Sequence, residues 1–422
     1  MTERLLQYIW QFQHFNNKDL RLSTGESLQI LHPGQLNVHQ GPDFLEASIK
    51  IDLTKWIGNI ELHVQTSDWF RHAHHHDKNY KNVILHVVWI HDLENNMENI
   101  PLLALQDKVP KMLLRRYEEW MMNVEFVPCG SQLSTVSSIV WAGWKERLLI
   151  ERLQRKTAII QTYLNQCNDH WEEAFWWLLA RNFGIKVNAE AFESLAKSLP
   201  VTLLVRHKNQ INQLEALLLG QAGLLEKKFA EDYPQMLQKE YLFYKSKYKL
   251  QGIREPIHFL RMRPENFPTI RLAQLAMLIH DSSHLFSKVI EMNTAAEVKT
   301  LLTVTGNDYW HYHYMLDEPS PFKPKKLGEQ MANNIIINTI VPAVFAFGYL
   351  HKKDSYQEKA FTWMEAIRAE NNGIVDRFTK AGITSLSSLD TQAVLELKAA
   401  YCDKRRCLDC AVGSYLLRGI QG

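Results

Sequence analysis

The sequence predicts a chain in two parts, an N-terminal α/β domain over residues 1–128 and a mostly α-helical domain over residues 136–422. Before residue 128, apolar and polar residues alternate in short runs, which is the pattern of strands. After residue 136, apolar residues recur every three or four positions, which is the pattern of helices. A chain of 422 residues is also long enough that more than one hydrophobic core is expected.

The first part opens with a helix and continues with strands. Residues 3–15 (ERLLQYIWQFQHF) space their apolar side chains as a helix does. Alternation or a continuous apolar run indicates the strands SLQILHPG (27–34), LEASIKIDL (45–53), IELHV (60–64), VILHVVWI (83–90) and IPLLALQ (100–106). Residues 66–82 are interpreted as a short helix or an active loop. Helix, three strands, crossover and one or two further strands describe an α/β sandwich.

Composition excludes several classes of protein. The formal net charge of +2 permits a nucleic-acid partner without requiring one, and five cysteines do not indicate a disulfide scaffold. No N-terminal signal pattern is visible, and the longest apolar run (334–350) contains Asn338 and Pro342, so a buried helix is expected there and no membrane association. We therefore expect a cytoplasmic protein. Glycine-rich phosphate-binding loops are absent from the sequence, so nothing supports an ATPase or a dinucleotide enzyme.

An acidic group stands on the first predicted hairpin. Glu61 and His63 are two positions apart on a strand, so their side chains point to the same face. Asp43 follows a Gly-Pro turn at the start of the preceding strand, which a hairpin can place beside the second strand. Two converging carboxylates suit Mg²⁺ or Mn²⁺. The alternative is an ordinary solvated face of a hairpin.

Pro42-Asp43 followed by Glu61-x-His63, in this order of elements, resembles the Pro-Asp…Asp/Glu-x-Lys signature of the restriction-endonuclease-like superfamily. The resemblance implies a metal-dependent nuclease or phosphodiesterase in which Asp43 and Glu61 hold the metal ion. His63 stands where lysine is usual, which puts its role in positioning or activating water in doubt. A carboxylate on the first helix and a Tyr or Gln after the motif, which members often add, correspond to Glu3 and Tyr80.

The whole chain also resembles an uncharacterised bacterial family that has this N-terminal block, a helical middle and a cysteine-bearing end. That resemblance implies no established activity. The lysine-to-histidine change keeps a second hypothesis open, namely a non-catalytic nucleic-acid-binding or scaffold protein with a degenerate nuclease core and a structural metal.

Histidines are concentrated near the same place, since 10 of the 18 lie within the first 91 residues. Neutral imidazoles bind transition metals. A third hypothesis is therefore a transition-metal hydrolase built from His63, His72, His76 and Asp77, with His72 and either His75 or His76 on one helix face. The alternative is a polar loop, which we expect for His74 and His75, while His86 is expected to be a satisfied core residue.

Three cysteines, Cys402-x4-Cys407-x2-Cys410, form the most specific motif of the chain. A C-x2-C pair with a third cysteine provides most of a tetrahedral site, and Cys129 is the best candidate for the fourth ligand, with Cys167 as runner-up. Both Zn²⁺ and a [4Fe–4S] cluster suit this spacing. Three buried reduced thiols are the alternative. The basic residues between the cysteines are expected to lower the thiol pKa values.

Arg261, Arg263 and Arg271 interleave with Phe259 and Phe267 in the helical part. Arginine binds phosphate in a bidentate manner and aromatic rings stack on unpaired bases, so this segment is a candidate nucleic-acid contact. The alternative is a helix–loop–helix join, because Pro264 and Pro268 are placed where one helix ends and the next begins.

Overall fold

The computed structural model describes residues 1–93, 100–282 and 284–419, apart from the side chain of His75, and it divides into two compact units. The first unit comprises Met1–Trp144, Lys380–Ile383 and the residues from Leu397 onward. The second comprises Lys145–Thr379 and Thr384–Glu396. The C-terminal cysteine segment therefore belongs to the same unit as the sheet. The boundaries 1–128 and 136–422 as separately folding domains stay a prediction.

A mixed sheet forms the centre of the first unit. Its strands in the described part of the chain are β1 (Leu28–His32), β2 (Gln35–Leu36), β3 (Phe44–Ile51), β4 (Thr54–Gln65), β5 (Val83–Ile90) and β6 (Leu102–Ala104). Their order is β1-β3-β4-β5-β6, with β2 paired to β3. The pairs β1–β3, β2–β3 and β3–β4 are antiparallel, whereas β4–β5 and β5–β6 are parallel. The predicted N-terminal sheet is thus present, and the apolar run of β5 occupies a central position.

A bulge changes which residues of β3 reach the core. The alternation in the sequence predicts Leu45 and Ala47 on one face, but the register with β4 shifts between Phe44 and Ala47. Glu46 adopts a left-handed conformation (φ 57°) at this point. Because one residue is inserted, Phe44 and Ala47 are fully buried while Leu45 is only half-buried.

Helices complete the first unit. The helix α1 (Glu3–Gln11) is capped by Thr2, whose hydroxyl accepts a hydrogen bond from the N–H of Leu5, and its apolar face packs against β4. The predicted 66–82 crossover consists of α2 (Asp68–Arg71) and two short 3₁₀ turns, His74–His76 and Lys78–Tyr80. After the sheet follow α3 (Lys111–Met122) and a 3₁₀ helix, Gly130–Thr135.

The second unit is helical, as predicted for this part of the chain. Its α-helices are α4 (Ser138–Gln166, which begins in the first unit), α5 (Trp171–Phe183), α6 (Ile185–Ser198), α7 (Val201–His207), α8 (Ile211–Gln221), α9 (Asp232–Tyr248), α10 (Pro268–Asp281), α11 (Leu285–Glu291), α12 (Ala295–Leu301), α13 (Asp308–His311), α14 (Glu329–Ile335), α15 (Val341–Leu350), α16 (Asp354–Ala366), α17 (Gly373–Lys380) and α18 (Ser388–Glu396). A π-helical segment, Ile336–Ile340, joins α14 to α15, and two short strands, β7 (His313–Met315) and β8 (Glu318–Pro319), pair with each other. At the C-terminus of the chain, α19 (Ala411–Arg418) returns to the first unit.

The helical stretch Glu329–Leu350 is long and apolar enough to cross a membrane by length and composition. Of the 18 residues in its most apolar window, 78% are buried inside the protein. A core helix has this environment, so the apolar run lies where the sequence places it.

A buried carboxylate is fully hydrogen-bonded in the second unit. Glu215 on α8 accepts hydrogen bonds from the indole N–H of Trp310 (2.9 Å), the hydroxyl of Tyr233 (2.8 Å) and the side-chain amide of Asn307 (2.7 Å). Burial raises the pKa of Glu215 to about 7, although these donors act in the opposite direction. Its neighbours are neutral, so the folded protein favours a proton on this group.

Substituting Gly220 with Ala tests the packing of α8 on α9. A Cβ at Gly220 would come within 2.1 Å of the ring of Tyr241, so we expect the free energy of unfolding to fall by about 1–3 kcal/mol. Gly143→Ala is the matched control, because a Cβ there meets no atom within 4 Å and the helix gains propensity. Urea denaturation followed by far-ultraviolet circular dichroism measures both. Equal effects of the two substitutions would contradict the packing.

Substituting Glu215 with Gln tests its titration. The folded pKa of Glu215 lies above the ordinary value of 4.5, so the stability from its protonation is fully present below pH 4.5 and is lost as the pH rises through 7. We therefore expect the wild type to gain about 2 kcal/mol relative to Glu215→Gln between about pH 8 and about pH 5. Denaturation of both proteins across this range measures the difference. A difference that does not change with pH contradicts the raised pKa.

Candidate functional site

Asp43 and Glu61 are joined by reciprocal hydrogen bonds. In the β3–β4 hairpin, Phe44 lies opposite Ile60, which brings Asp43 beside Glu61. The backbone N–H of Asp43 donates to Oε2 of Glu61 (3.0 Å), and the backbone N–H of Leu62 donates to Oδ2 of Asp43 (3.0 Å). Each carboxylate therefore accepts a hydrogen bond from the backbone at or beside the other acid, which fixes the two residues next to each other across the hairpin.

The helix α1 adds a hydrogen bond and a charge to this pair. Nε2 of Gln7 donates to Oδ1 of Asp43 (2.8 Å). Glu3, one turn earlier on α1, is half-buried, and its charge raises the pKa values of both Asp43 and Glu61. The structure thus brings the predicted Glu3 within electrostatic reach of the pair. Gln7 was missed by the sequence reasoning, although its i,i+4 spacing from Glu3 could have revealed it.

The environment favours protonation of both acids, most strongly of Glu61. Burial raises the pKa of Glu61 to about 9, with the charge of Asp43 as the second cause. Burial also raises the pKa of Asp43 to about 6, against the hydrogen bond from Leu62. Two neighbouring acids that are shifted in this way favour a cation between them, because a cation relieves both the repulsion and the cost of burying charge.

Two imidazoles approach the other oxygen of Glu61. Nε2 of His63 lies 3.6 Å and Nε2 of His74 lies 3.5 Å from Oε1 of Glu61. Nδ1 of His63 shares a hydrogen bond with Nε2 of His86 (2.8 Å). The residues Glu61 and His63 are 5% and 1% exposed, so the hairpin face that carries them is not solvated.

His63 is held neutral. Burial lowers its pKa to about 2, and the neighbouring His86 is the second cause. Among the residues that the structure describes, its buried Nε2 has no hydrogen-bond partner. A neutral ring with one nitrogen engaged by His86 and the other facing a carboxylate oxygen is prepared to accept a hydrogen bond or to bind a metal ion.

A local turn decides which histidines reach the site. The ligand atoms of His63, His72 and His74 lie within 4.8 Å of one another. The helix α2 ends at Arg71, and Ala73 adopts a left-handed conformation (φ 57°), so residues 72–76 do not share one helix face. His74, which sequence reasoning assigned to a polar loop, therefore lies at the site. The sequence carries no signal for this left-handed alanine.

The remaining residues of this segment differ in their surroundings, and Tyr80 is the one that contacts the site. His76 is exposed, and Asp77 accepts a hydrogen bond from the N–H of Asn79 (2.9 Å) at the start of a 3₁₀ turn. The side chain of His75 lies outside the described residues. The ring of Tyr80 stacks on that of His74 with centroids 3.9 Å apart, so the predicted Tyr80 lines the site. Burial, followed by the charge of Glu61, raises the pKa of Tyr80 to about 12.

Four cysteines of the first unit form a second group of candidate site residues. Cys129 precedes the 3₁₀ helix Gly130–Thr135, and the other three flank short turns near the C-terminus. The thiol of Cys402 is influenced electrostatically by Cys129, Cys407 and Cys410. Cys129, the predicted fourth ligand, therefore joins the C-terminal three.

The runner-up, Cys167, lies elsewhere. It belongs to the second unit, where its Sγ donates to the carbonyl oxygen of His170 (3.4 Å). The free thiols of the described chain thus divide into a group of four and this separate one.

The thiols of this group are protonated in the isolated protein. Burial raises the pKa of Cys129 and Cys407 to about 12 and that of Cys410 to about 11. The expectation that basic neighbours lower these pKa values is therefore wrong, because burial outweighs the opposing effect of Arg405 on Cys407. Arg405 instead donates hydrogen bonds to the carbonyl oxygens of Trp120 (2.8 Å) and Asn123 (2.7 Å), which fixes the loop.

Hydrogen-bond donors converge on one of these sulfurs. Cys410 precedes α19, and the backbone N–H groups of Val412 and Gly413 and the indole of Trp144 interact with its thiol and favour the thiolate. Gly413 has no room for a side chain, since a Cβ would lie 2.2 Å from the carbonyl oxygen of Cys407. The close approach of α19 to this turn therefore requires glycine.

The three predicted arginines separate. Arg261 and Arg263 are exposed, whereas Arg271 on α10 is 5% exposed. Phe259 and Phe267 contact each other edge to face, with ring centroids 5.4 Å apart. The exposed arginines stay candidate nucleic-acid contacts, and Arg271 instead lines a cleft of the second unit.

Comparison with known proteins gives one family. The model of the family described as "Protein of unknown function (DUF2851)" matches residues 3–373. The match includes the acids, the histidines and Cys129, and it ends before the three C-terminal cysteines. No curated protein and no solved structure matches the chain.

Proposed function

Because the chain belongs to this family of proteins of unknown function, its activity has to be argued from the site, and we propose a metal-dependent nuclease or related phosphodiesterase acting in the cytoplasm. One observation carries the proposal, namely the reciprocal hydrogen bonds by which the carboxylates of half-buried Asp43 and buried Glu61 each accept a backbone N–H at or beside the other residue. Such a pair is costly to ionise on its own and is stabilised by a divalent cation.

The donor set indicates which ion would be held. Asp43 and Glu61 offer oxygens, and His63 and His74 offer nitrogens beside Glu61. Mg²⁺ prefers oxygen ligands alone, whereas Mn²⁺ also accepts imidazole, so this set favours Mn²⁺ over Mg²⁺. When bound, such an ion would polarise the phosphate and lower the pKa of the attacking water.

His63 is assigned to orienting the water rather than to taking its proton. A general base works best when its pKa is near the working pH, and burial lowers the pKa of His63 to about 2. Its neutral Nε2 can still accept a hydrogen bond, and His86 fixes the ring through Nδ1. In this proposal the histidine in the lysine position retains the orienting role and loses the proton-transfer role.

The histidine group supports a second candidate function, a transition-metal hydrolase acting on a small substrate. His63, His72 and His74 lie close enough to hold one ion without Asp43. In that case His72 would be required for activity and Asp43 would not. Substitutions of Asp43 and of His72 therefore separate the two candidate functions.

Asp43→Asn and Glu61→Gln test the nuclease directly. We expect Mn²⁺-dependent cleavage of single- or double-stranded DNA or RNA by the wild type, and a loss on the order of 100-fold or more in each variant, because each removes a charge that faces the transition state. Glu46→Gln is the matched control, since Glu46 is an exposed acid on the same strand. Manganese binding measured by calorimetry separates lost binding from lost chemistry.

Each outcome of this experiment favours one of the three hypotheses over the others. Full activity in Asp43→Asn with none in His72→Ala would favour the transition-metal hydrolase. Binding of nucleic acid by the wild type, without cleavage under any ion, would favour the non-catalytic scaffold and overturn the nuclease. Circular dichroism of each variant excludes unfolding as the cause.

We further propose that the four cysteines hold a [4Fe–4S] cluster rather than Zn²⁺. The group is largely buried, and the backbone N–H groups of Val412 and Gly413 interact with the thiol of Cys410, as donors do around the sulfurs of such clusters. Such donors help to set the reduction potential of a cluster when it is bound.

Cys407→Ser tests the cluster. We expect about four iron and four sulfide per chain after anaerobic purification of the wild type, and loss of both in Cys407→Ser, because one ligand is removed. Cys167→Ser, which alters the thiol outside the group, should retain both. Elemental analysis and visible absorbance measure this. One zinc per chain without sulfide would refute the assignment.

A further inference from the structure

The second unit contains a cleft of about 600 Å³ that the proposed nuclease does not use. Residues from the end of α5, from α6, α10 and α14, and from the loop that holds Lys323 and Lys325 line it. The volume lies within the range of small-molecule sites, roughly 300–1,000 Å³. All of these residues belong to one unit.

The lining of the cleft is strongly basic. Its positive side chains are Lys186, Arg271, Lys323, Lys325 and Lys326. The acidic residue among the described lining residues is Glu265, which is exposed and forms an ion pair with Lys323. Five positive charges against one negative charge leave a net charge of +4, which attracts anions.

Arg271 is a buried cation whose hydrogen bonds go to neutral groups. It is 5% exposed, its Nη1 donates to Oε1 of Gln274 (2.8 Å), and its Nη2 donates to Oδ1 of Asn266. Within the described part of the chain, its Nε is buried and has no hydrogen-bond partner. A buried guanidinium normally faces a carboxylate or phosphate, because amides compensate only part of the cost of burying charge.

Lys325 is a second buried cation in the same cleft. It is 4% exposed, and its Nζ donates to the carbonyl oxygen of Lys323 (3.1 Å) and lies 3.7 Å from the centroid of the Tyr314 ring. Across the described residues, neither Lys325 nor Arg271 forms an ion pair with a carboxylate, and Glu265, which pairs with Lys323, acts on both only through its longer-range charge. Two buried cations without a directly paired carboxylate thus line one cavity.

A deformed helix provides the opposite wall. The π-helical segment Ile336–Ile340 carries Asn338 into the lining, beside Asn334 of α14. Such segments inside α-helices occur frequently at functional sites. Side-chain amides can donate to and accept from a neutral part of a ligand, so the cleft offers more than a charge.

We propose that this cleft binds a phosphate group, carried either by a small molecule such as a nucleotide or by the end of a nucleic-acid chain. The planar guanidinium of Arg271 and the point charge of Lys325 are the two side chains that proteins use most for phosphate. A net charge of +4 suits a di- or polyanion better than a single carboxylate. Arg271 and Lys325 belong to the second unit and Asp43 to the first, so different variants test the phosphate site and the proposed nuclease.

Calorimetry and thermal unfolding at constant ionic strength test the site with the full-length protein. The probes are inorganic phosphate, pyrophosphate, ATP, and one oligonucleotide with either a 5′-phosphate or a 5′-hydroxyl. We expect saturable binding and stabilisation of the wild type, weakened about 10-fold or more in Arg271→Gln and several-fold in Lys186→Gln at the exposed rim. Lys228→Gln, an exposed lysine outside the cleft, is the charge-matched control and should bind as the wild type does.

The outcomes show whether a small molecule or a nucleic-acid end carries the phosphate, and they test whether the cleft binds phosphate at all. Binding of ATP or pyrophosphate identifies a small-molecule site, and binding confined to the 5′-phosphorylated oligonucleotide identifies a chain end. Both support a phosphate site. Failure of every probe to bind, or equal affinity in the wild type, Arg271→Gln and Lys186→Gln, overturns it. A purely structural Arg271 would lower the unfolding temperature without phosphate when replaced and leave the affinities unchanged.

Discussion

Burial of Asp43 and Glu61 is the constraint on which the first unit depends. Each carboxylate accepts a hydrogen bond from the backbone of the other strand, so their satisfaction requires one register of β3 against β4. A slip of one residue between the strands would turn the two acids to opposite faces and leave their backbone partners unpaired. The same register positions Asp43 for Gln7, which ties α1 to the hairpin. The pairing of the strands, the docking of α1 and the geometry of the site therefore all depend on this one register.

The same burial disfavours charge at the site. It raises the pKa values of Asp43 and Glu61, most strongly that of Glu61, and it lowers those of His63 and His86, so it favours protonated acids and neutral imidazoles. A cation reverses this arrangement, because it stabilises the carboxylates and uses the neutral ring nitrogens. Folding and ion binding therefore make opposite demands on the protonation of the acids. Such a conflict is typical of sites where function competes with stability.

Much of this arrangement could be predicted from sequence, and the failures have local causes. Alternation and turns were sufficient for the sheet and for the meeting of Asp43 with Glu61, since hairpin geometry follows from them. The bulge at Glu46 and the left-handed Ala73 were not visible, because both depend on tertiary packing rather than on a residue that favours positive φ. The second turn brought His74 to the site. The thiol pKa values were predicted in the wrong direction because charge is visible in a sequence and burial is not.

Comparison of two buried charged groups in the helical unit shows how a structural group differs from a binding one. Glu215 is surrounded by three neutral donors that use both oxygens, so it needs no further partner. Arg271 is buried to a similar extent, but its Nε is unpartnered and a second cation, Lys325, shares its cavity. A guanidinium keeps its charge at any ordinary pH, so it cannot escape the cost of burial by losing a proton as a carboxyl does by gaining one. Glu265 acts on Arg271 only through its longer-range charge, so an anion from outside the chain is the remaining way to pair the guanidinium directly, and the open cleft gives it access.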